Sequence, residues 1–446
     1  MASVNKKPTS VKTHGNGYGH IPNAEEQLKR SVMSCMLWED NFYESGESIS
    51  DRIISLTKAV PVNIAIAIMK EAKHEQKLRH APLLMARALA STGSISAVDL
   101  SDVITRVDDI TEFMALYWKD KKQPISHAVQ KGLSLAFEKF DEYQFAKYNR
   151  KKEVKLRDIL RLVHPKTDDK KQNTLYGKIV HNELKTPDTW EVALSSGADK
   201  KETFERLLLE NKLGDLAFLR NLRNIVESGI DLSFVKENIL SRGWKKIIPF
   251  QFVTAAKYCP MVEVELEQAL FKSIEKVSGK TIVIVDVSGS MYHSMVSKHS
   301  DADRATVACS LAMIAREMYQ DCFIFATAGS DCSRIHKTQL VPSRHGFALK
   351  DAIYSMCSPL GGGGIFVKQV MDYVKPIVKD ADRIIIITDE QDCDTVYHAN
   401  TADFFGKENY IINVSTYECG VAYGSKTVHI NGWSEKVLDY INTPKQ

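Results

Sequence analysis

Thr281-Ile282-Val283-Ile284-Val285-Asp286-Val287-Ser288-Gly289-Ser290-Met291 is where the chain changes character. Its first five residues are all β-branched, the unbroken apolar run of a strand covered on both faces. The run stops in D-x-S-x-S, one carboxylate and two hydroxyls on a tight loop. Comparable runs follow at 322–326, 383–388 and 410–414, with helical stretches between them at 302–319, 347–357 and 366–378. Strands alternating with helices predict a parallel, doubly wound α/β sheet.

Upstream the period is different. From 22 to 275 apolar residues recur every three or four positions, as in Ile49, Ile53, Leu56, Val60. That is the spacing of amphipathic helices. Turn signals such as Ser195-Ser196-Gly197 and Glu227-Ser228-Gly229 divide the stretch into short helices. Short paired helices predict a stacked, repeat-like all-α array. The reading therefore has three parts: a flexible N-terminus over 1–21, a helical module over 22–275, and an α/β domain over 276–446.

The 446 residues are 44% hydrophobic and 26% charged, ordinary for a globular chain. The most apolar run, 59–69, is broken by Pro61 and Asn63 and falls short of the roughly 20 residues of a spanning helix. The first twenty residues have no apolar stretch of signal-peptide kind. Eight cysteines (35, 259, 309, 322, 332, 357, 393 and 419) form no C-x-x-C pair, which leaves thiolate zinc and redox motifs without support. A cytosolic location is the expectation. The net charge of +3 is uneven: residues 276–446 hold 17 Lys and Arg against 19 Asp and Glu, so the basic excess belongs to the first 275.

Ligands of doubly wound sheets gather at the carboxyl ends of strands. There Asp286, Ser288 and Ser290 offer oxygen donors suited to a hard ion such as Mg²⁺. Asp389 stands at the end of a later strand, with Asp392 and Asp394 beyond it. The run Gly361-Gly362-Gly363-Gly364 lacks a following Lys or Ser/Thr and reads as a flexible loop, not a phosphate cradle. No Ser-His-Asp arrangement is assignable, so an enzyme is not expected. The bland alternative gives the Asp and Ser residues only turn and cap roles.

In the helical part, 147–166 carries eight Lys or Arg against two acids. Within it Leu156-Arg157-Asp158-Ile159-Leu160-Arg161-Leu162-Val163-His164 spaces Arg157, Arg161 and His164 along one helical face. Leu156, Ile159, Leu160 and Val163 fall on the other. Pro165 ends the helix near His164. Such a face can neutralise phosphates. A solvated helix face, a structural histidine and a packed Tyr148 are the plain alternatives.

The stretch 126–166, with K-Y-x-x-R and D-I-L-R-L-V-H-P-K, resembles the TROVE module of the Ro ribonucleoprotein family. So do Phe218-Leu219-Arg220-Asn221-Leu222, Ile248-Pro249-Phe250-Gln251 and Phe42-Tyr43-x-x-Gly46. The D-x-S-x-S strand end and the later strand-Thr-Asp resemble a von Willebrand factor A domain with its metal-ion-dependent adhesion site. The order of the two modules is that of Ro proteins. This resemblance implies a ring of HEAT-like helical pairs closed by the A domain. Y-like small noncoding RNA would lie on a basic surface, and single-stranded 3′ ends of misfolded or structured RNA would enter a basic channel. It implies a monomer without catalysis that scaffolds an exoribonuclease, as bacterial relatives do. Carried onto this sequence, the RNA-binding positions are Lys147, Arg150, Arg157, Arg161 and His164. Tyr148 would stack on bases. The metal positions are Asp286, Ser288, Ser290 and Asp389. Ile365 stands where the family has a threonine ligand and cannot coordinate Mg²⁺. Two other functions stay open: a protein-interaction scaffold gripping a partner carboxylate through the ion, and a chelatase-type subunit.

Overall fold

The computed structural model describes residues 10–20, 22–33, 45–122, 124–149, 153–244, 247–272, 274–293, 295, 302–394, 404–417, 420, 427–432 and 436–442. It divides into two compact units. One is Ser50–Leu232; the other joins Met1–Ile49 to Ser233–Gln446. The helices of 233–275 thus group with the sheet by contact, although their sequence period groups them with the upstream helices.

The first unit is all helix among its described residues. Several helices start at a side chain that accepts a backbone N–H from the first turn: Ser96, Ser126, Asp141, Asp169, Thr189 and Asp199. These oxygens satisfy donors that the helix itself leaves unpaired, which fixes where each helix begins. Neighbours pack in succession: Ala97–Val103 on His127–Phe137, that helix on Leu156–Val163, and Lys170–His181 on the last. The first contact is close because of Gly132, where a Cβ would lie 2.9 Å from the Ala97 carbonyl oxygen. Leu133, Phe137, Ile159 and Ile179 are buried.

The second unit is built on a six-stranded sheet. In chain order its strands are β3 (Val277–Asp286), β4 (Tyr319–Ser330), β5 (Ile335–Leu340), β6 (Arg383–Thr388), β7 (Glu408–Asn413) and β8 (Val428–Asn431). β1 (Ser10–Lys12) and β2 (Tyr18–His20) form a separate two-stranded hairpin. The sheet order is β5-β4-β3-β6-β7-β8. β3 is central and fully buried from Thr281 to Asp286. Ile282, Ile284, Phe325, Ile365, Met371, Ile384, Ile386 and Ile411 form one core cluster.

Two expectations need correction. The sheet is not wholly parallel, because β5 pairs antiparallel to β4. Only residues 331–334 join them, with Arg334 N–H bonded to the Ser330 carbonyl at 2.8 Å. So short a link permits a hairpin and not a crossover. The described part of the N-terminus, expected to be flexible, is the β1–β2 hairpin. Its backbone is held by a distant loop: Gly17 N–H bonds the Asp392 carbonyl at 3.2 Å, and Arg334 Nη2 donates to the Gly15 carbonyl at 2.9 Å. Thr13 Oγ1 also donates to the Asp392 carbonyl.

Candidate functional site

The strand order reverses beside β3: the chain passes to β4 on one side and to β6 on the other. Ligand crevices form at such switch points. Asp286 closes β3 there, and Asp389 follows β6. Asp286 is buried, accepting from Ser288 N–H at 2.8 Å and from Thr388 Oγ1 at 2.6 Å. Ser288 Oγ lies 3.2 Å from Ser290 Oγ, and the Ser290 hydroxyl favours the charged form of Asp389. All four expected positions therefore meet. Burial and then the neighbouring Asp389 charge push Asp286 well above the usual aspartate range. Asp389 is raised as well, by burial first, although the Arg304 guanidinium opposes this. Two desolvated carboxylates with two adjoining hydroxyls are an oxygen donor set that fits a hard divalent cation.

The glycine run is corrected from a flexible loop to a fixed one. Gly289 N–H bonds the Gly362 carbonyl at 3.1 Å, and Gly363 N–H bonds Gly329 at the end of β4 at 3.1 Å. Gly361 and Gly362 take positive φ values of 96° and 67°, which only glycine adopts freely. Ile365 points into the core cluster and is 1% exposed, so it contributes no donor. Asp392 and Asp394, considered as substitutes, are engaged elsewhere. They accept from the N–H groups of Val367 (3.0 Å) and Gln369 (3.2 Å) at the start of the helix Val367–Val374. Asp392 is fully buried and pushed up to about 7, by burial and then by Asp394, against the Val367 hydrogen bond. No cluster of three or more His, Cys, Asp or Glu able to hold a metal occurs among the described residues.

In the helical unit Lys147 ends the helix Glu142–Tyr148, and its Nζ lies 5.9 Å from the Tyr148 ring centre. The helix Leu156–Val163 buries Leu156, Ile159, Leu160 and Val163 and turns Arg161 to solvent. Arg157 is half-exposed and lies 3.6 Å from its neighbour Asp158. The helix stops at His164, exposed and left-handed with φ 46°, whose N–H still bonds the Leu160 carbonyl at 3.0 Å. Arg150 lies outside the described residues, as do Phe42, Tyr43, Cys35 and Cys419. Both helices pack against Val107–Tyr117, which brings Lys147, Arg157, Arg161 and His164 around one support.

Thr388 entered the sequence reading only as part of the strand-Thr-Asp motif; here it ties Asp286 to β6. Two contributors were missed. Arg304 places a positive charge by Asp389 from the neighbouring helix Arg304–Met318. Arg106 stands over the Tyr148 ring at 5.0 Å, and nothing in the local pattern announces it.

Residues 180–321 match the TROVE domain family. The matched range starts after the basic segment 147–166 and runs through the helices of 233–275 into β3 and β4. The fold is similar to that of the crystal structure of the Deinococcus radiodurans RO (RSR) protein, with TM-score 0.60 and 16% identity. The likeness covers 92% of this chain and 97% of that one. No curated protein sequence matches. Among the described residues no helix is long and apolar enough to cross a membrane. The comparisons thus show a TROVE-domain match over residues 180–321 and, for the chain as a whole, a fold similar to that of a Ro protein.

Proposed function

We propose that this is a non-catalytic RNA-binding protein. Its helical unit would hold small noncoding, Y-like RNA and the single-stranded 3′ ends of structured or misfolded RNA. The observation that carries the reading is the exposed basic edge at Leu156–Val163. Arg161, His164 and Lys166 are exposed there, and none forms an ion pair with an acid among the described residues. Uncompensated positive charge at Arg161 and Lys166, on and just beyond a helix whose other side is buried, is what a polyanion backbone needs, since phosphate neutralisation supplies most non-specific affinity. The TROVE match and the Ro-like fold suggest RNA binding in general. The particular RNA, the ring and its channel, a recruited exoribonuclease, a monomeric state and a cytosolic location are parts of this proposal.

The loop cluster at β3 and β6 belongs to a second part of it. Asp286, Ser288, Ser290 and Asp389 would hold Mg²⁺ or a similar cation, with Asp286 and Asp389 acting mainly through water. The ion would relieve the repulsion of the carboxylate pair and leave positions open to an oxygen of a partner. Protein scaffolding through a partner carboxylate is the reading that this cluster would favour if RNA binding were absent.

Purification followed by sequencing of co-purifying nucleic acid tests the first part. Enrichment of structured small RNAs is expected. A preparation free of RNA that also ignores added single-stranded RNA would remove the reading.

A further inference from the structure

Asp389, the carboxylate that follows β6 in the candidate cation site, opens a loop that the N-terminal hairpin holds by hydrogen bonds. Gln391 is the centre of that hold. Its N–H donates to Asp389 Oδ1 at 3.1 Å, and its Nε2 donates to the Asp389 carbonyl at 3.3 Å. Its Oε1 accepts the N–H of His14, in the turn between β1 and β2, at 3.2 Å. One buried side chain therefore touches both the hairpin and the residue that carries the carboxylate. The strand-Thr-Asp pattern does not include it.

The hairpin has a hub of its own. Thr13 is buried, and its Oγ1 donates to the Asp392 carbonyl and accepts from the Gly17 N–H at 3.0 Å. The Thr13 N–H bonds the Gly17 carbonyl at 3.1 Å, which closes the turn. The loop it grips needs support. Glu390, between Asp389 and Gln391, takes a φ of 61°, a left-handed conformation that glutamate rarely adopts. Backbone strain of this kind persists only where neighbouring contacts over-determine it. On one side the Glu390 N–H bonds Thr388 Oγ1 at 2.9 Å. On the other, Gln391 and Asp392 are held by the hairpin.

We propose that Gln391 is a positioning residue for the cation site, and that through it docking of the hairpin and occupancy of the site are coupled. The inference rests on the cation reading and adds to it a control by the N-terminal segment. With the hairpin docked, Gln391 holds Asp389 in one orientation, so the ion meets a donor that is already ordered. With the hairpin released, that ordering has to be supplied when the ion binds. The linkage is reciprocal: docking favours the ion as much as the ion favours docking.

The test is the Mg²⁺ concentration that half-saturates the thermal shift of the full chain. Gln391→Met keeps the length of the side chain and removes both of its amide contacts; it should raise that concentration roughly tenfold. Thr13→Val should raise it too, and Thr13→Ser should restore it. Because both residues act along one chain of contacts, Gln391→Met with Thr13→Val should be no worse than the poorer single variant. A residue that only packs the loop would lower the midpoint without Mg²⁺ and leave half-saturation untouched. Amide exchange in wild type gives a second reading that needs no variant. The His14 and Gly17 N–H groups should exchange more slowly at saturating Mg²⁺ than without it. Folded Gln391→Met and Thr13→Val variants with wild-type half-saturation would overturn the inference and leave the cation reading intact. So would His14 and Gly17 amides that ignore Mg²⁺ while the wild-type midpoint responds to it. No Mg²⁺ shift in wild type would remove both.

Discussion

Arg30 Nη1 and Glu390 Oε2 meet at 2.6 Å with both side chains wholly buried, 360 positions apart in the chain. The pair joins the helix Ala24–Met33 to the loop after β6. It is extended by Arg30 Nε to the Tyr417 carbonyl at 3.2 Å and by His429 Nδ1 to Glu390 Oε1 at 3.0 Å. Removing one member of a buried pair strands the other charge and costs roughly 3–5 kcal/mol. Arg30→Met should lower stability by that order in denaturant titration. Arg30→Met with Glu390→Leu should recover much of the loss. Equal damage in the single and double variants would show that shape, not charge, holds the joint.

The β1–β2 hairpin depends on two close approaches. A Cβ at Gly17 would lie 2.2 Å from the Asp392 carbonyl oxygen, and one at Gly15 would lie 2.3 Å from Cys393 Sγ. Gly17→Val should therefore release residues 10–20 and leave the sheet folded. Limited proteolysis should then cut near Lys12 much faster than in wild type. Unchanged protection would mean that the hairpin is not held by these contacts.

His80 supplies a pH dependence. Burial, then the Arg79 charge, push it down to about 4, although its Nδ1 lies 3.3 Å from Glu112. Desolvation and Arg79 outweigh that carboxylate. Between about pH 6.5 and 4 the unfolded chain binds a proton that the folded chain refuses, so stability falls as the pH is lowered through that window. The loss is at most about 3 kcal/mol. His80→Asn should flatten the difference in a pH series of urea titrations. A parallel pair of curves would contradict the assignment.

The carboxylate pair Asp286 and Asp389 predicts a response to cations. Millimolar Mg²⁺ should raise the thermal midpoint, since a ligand of the folded state stabilises it in proportion to the logarithm of its saturation. Ser288→Ala should abolish the shift. Asp286→Asn should also abolish it, while stabilising the protein without Mg²⁺ by removing one of two repelling charges. No shift in wild type at millimolar Mg²⁺ would remove the cation from the account.

Legibility followed the range of the forces involved. The strand at Thr281–Asp286 and the helix Leu156–Val163 could be read because each carries its own pattern: unbroken β-branching in one, a clean apolar stripe in the other. The end at His164 was visible through Pro165. β5 and β8 were not, since an edge strand of mixed exposure and a four-residue strand carry little local pattern. The N-terminal hairpin was hidden because its partners lie near Asp392, far along the chain. The loop at Gly361–Gly364 looked mobile because glycine content reports conformational freedom and not the neighbours that remove it. At the candidate sites residue types were legible and convergence was not. Asp286 and Asp389 announce oxygen chemistry, but their adjacency comes from strand order. Tyr148 and Arg106 belong to different helices, and only packing on Val107–Tyr117 brings them together.

Neutralisation of an RNA backbone by exposed positive side chains of the helical unit is the proposal that a salt titration decides. RNA affinity of wild type and of Arg157→Glu with Arg161→Glu, measured as a function of salt, tests it most directly. Binding should weaken steeply with salt in wild type, by about 0.7 in the log–log slope for each phosphate neutralised on single-stranded RNA. The double variant should bind far more weakly with a smaller slope and an unchanged circular dichroism spectrum. Affinity and slope equal to wild type in the folded double variant would rule out phosphate neutralisation by these arginines.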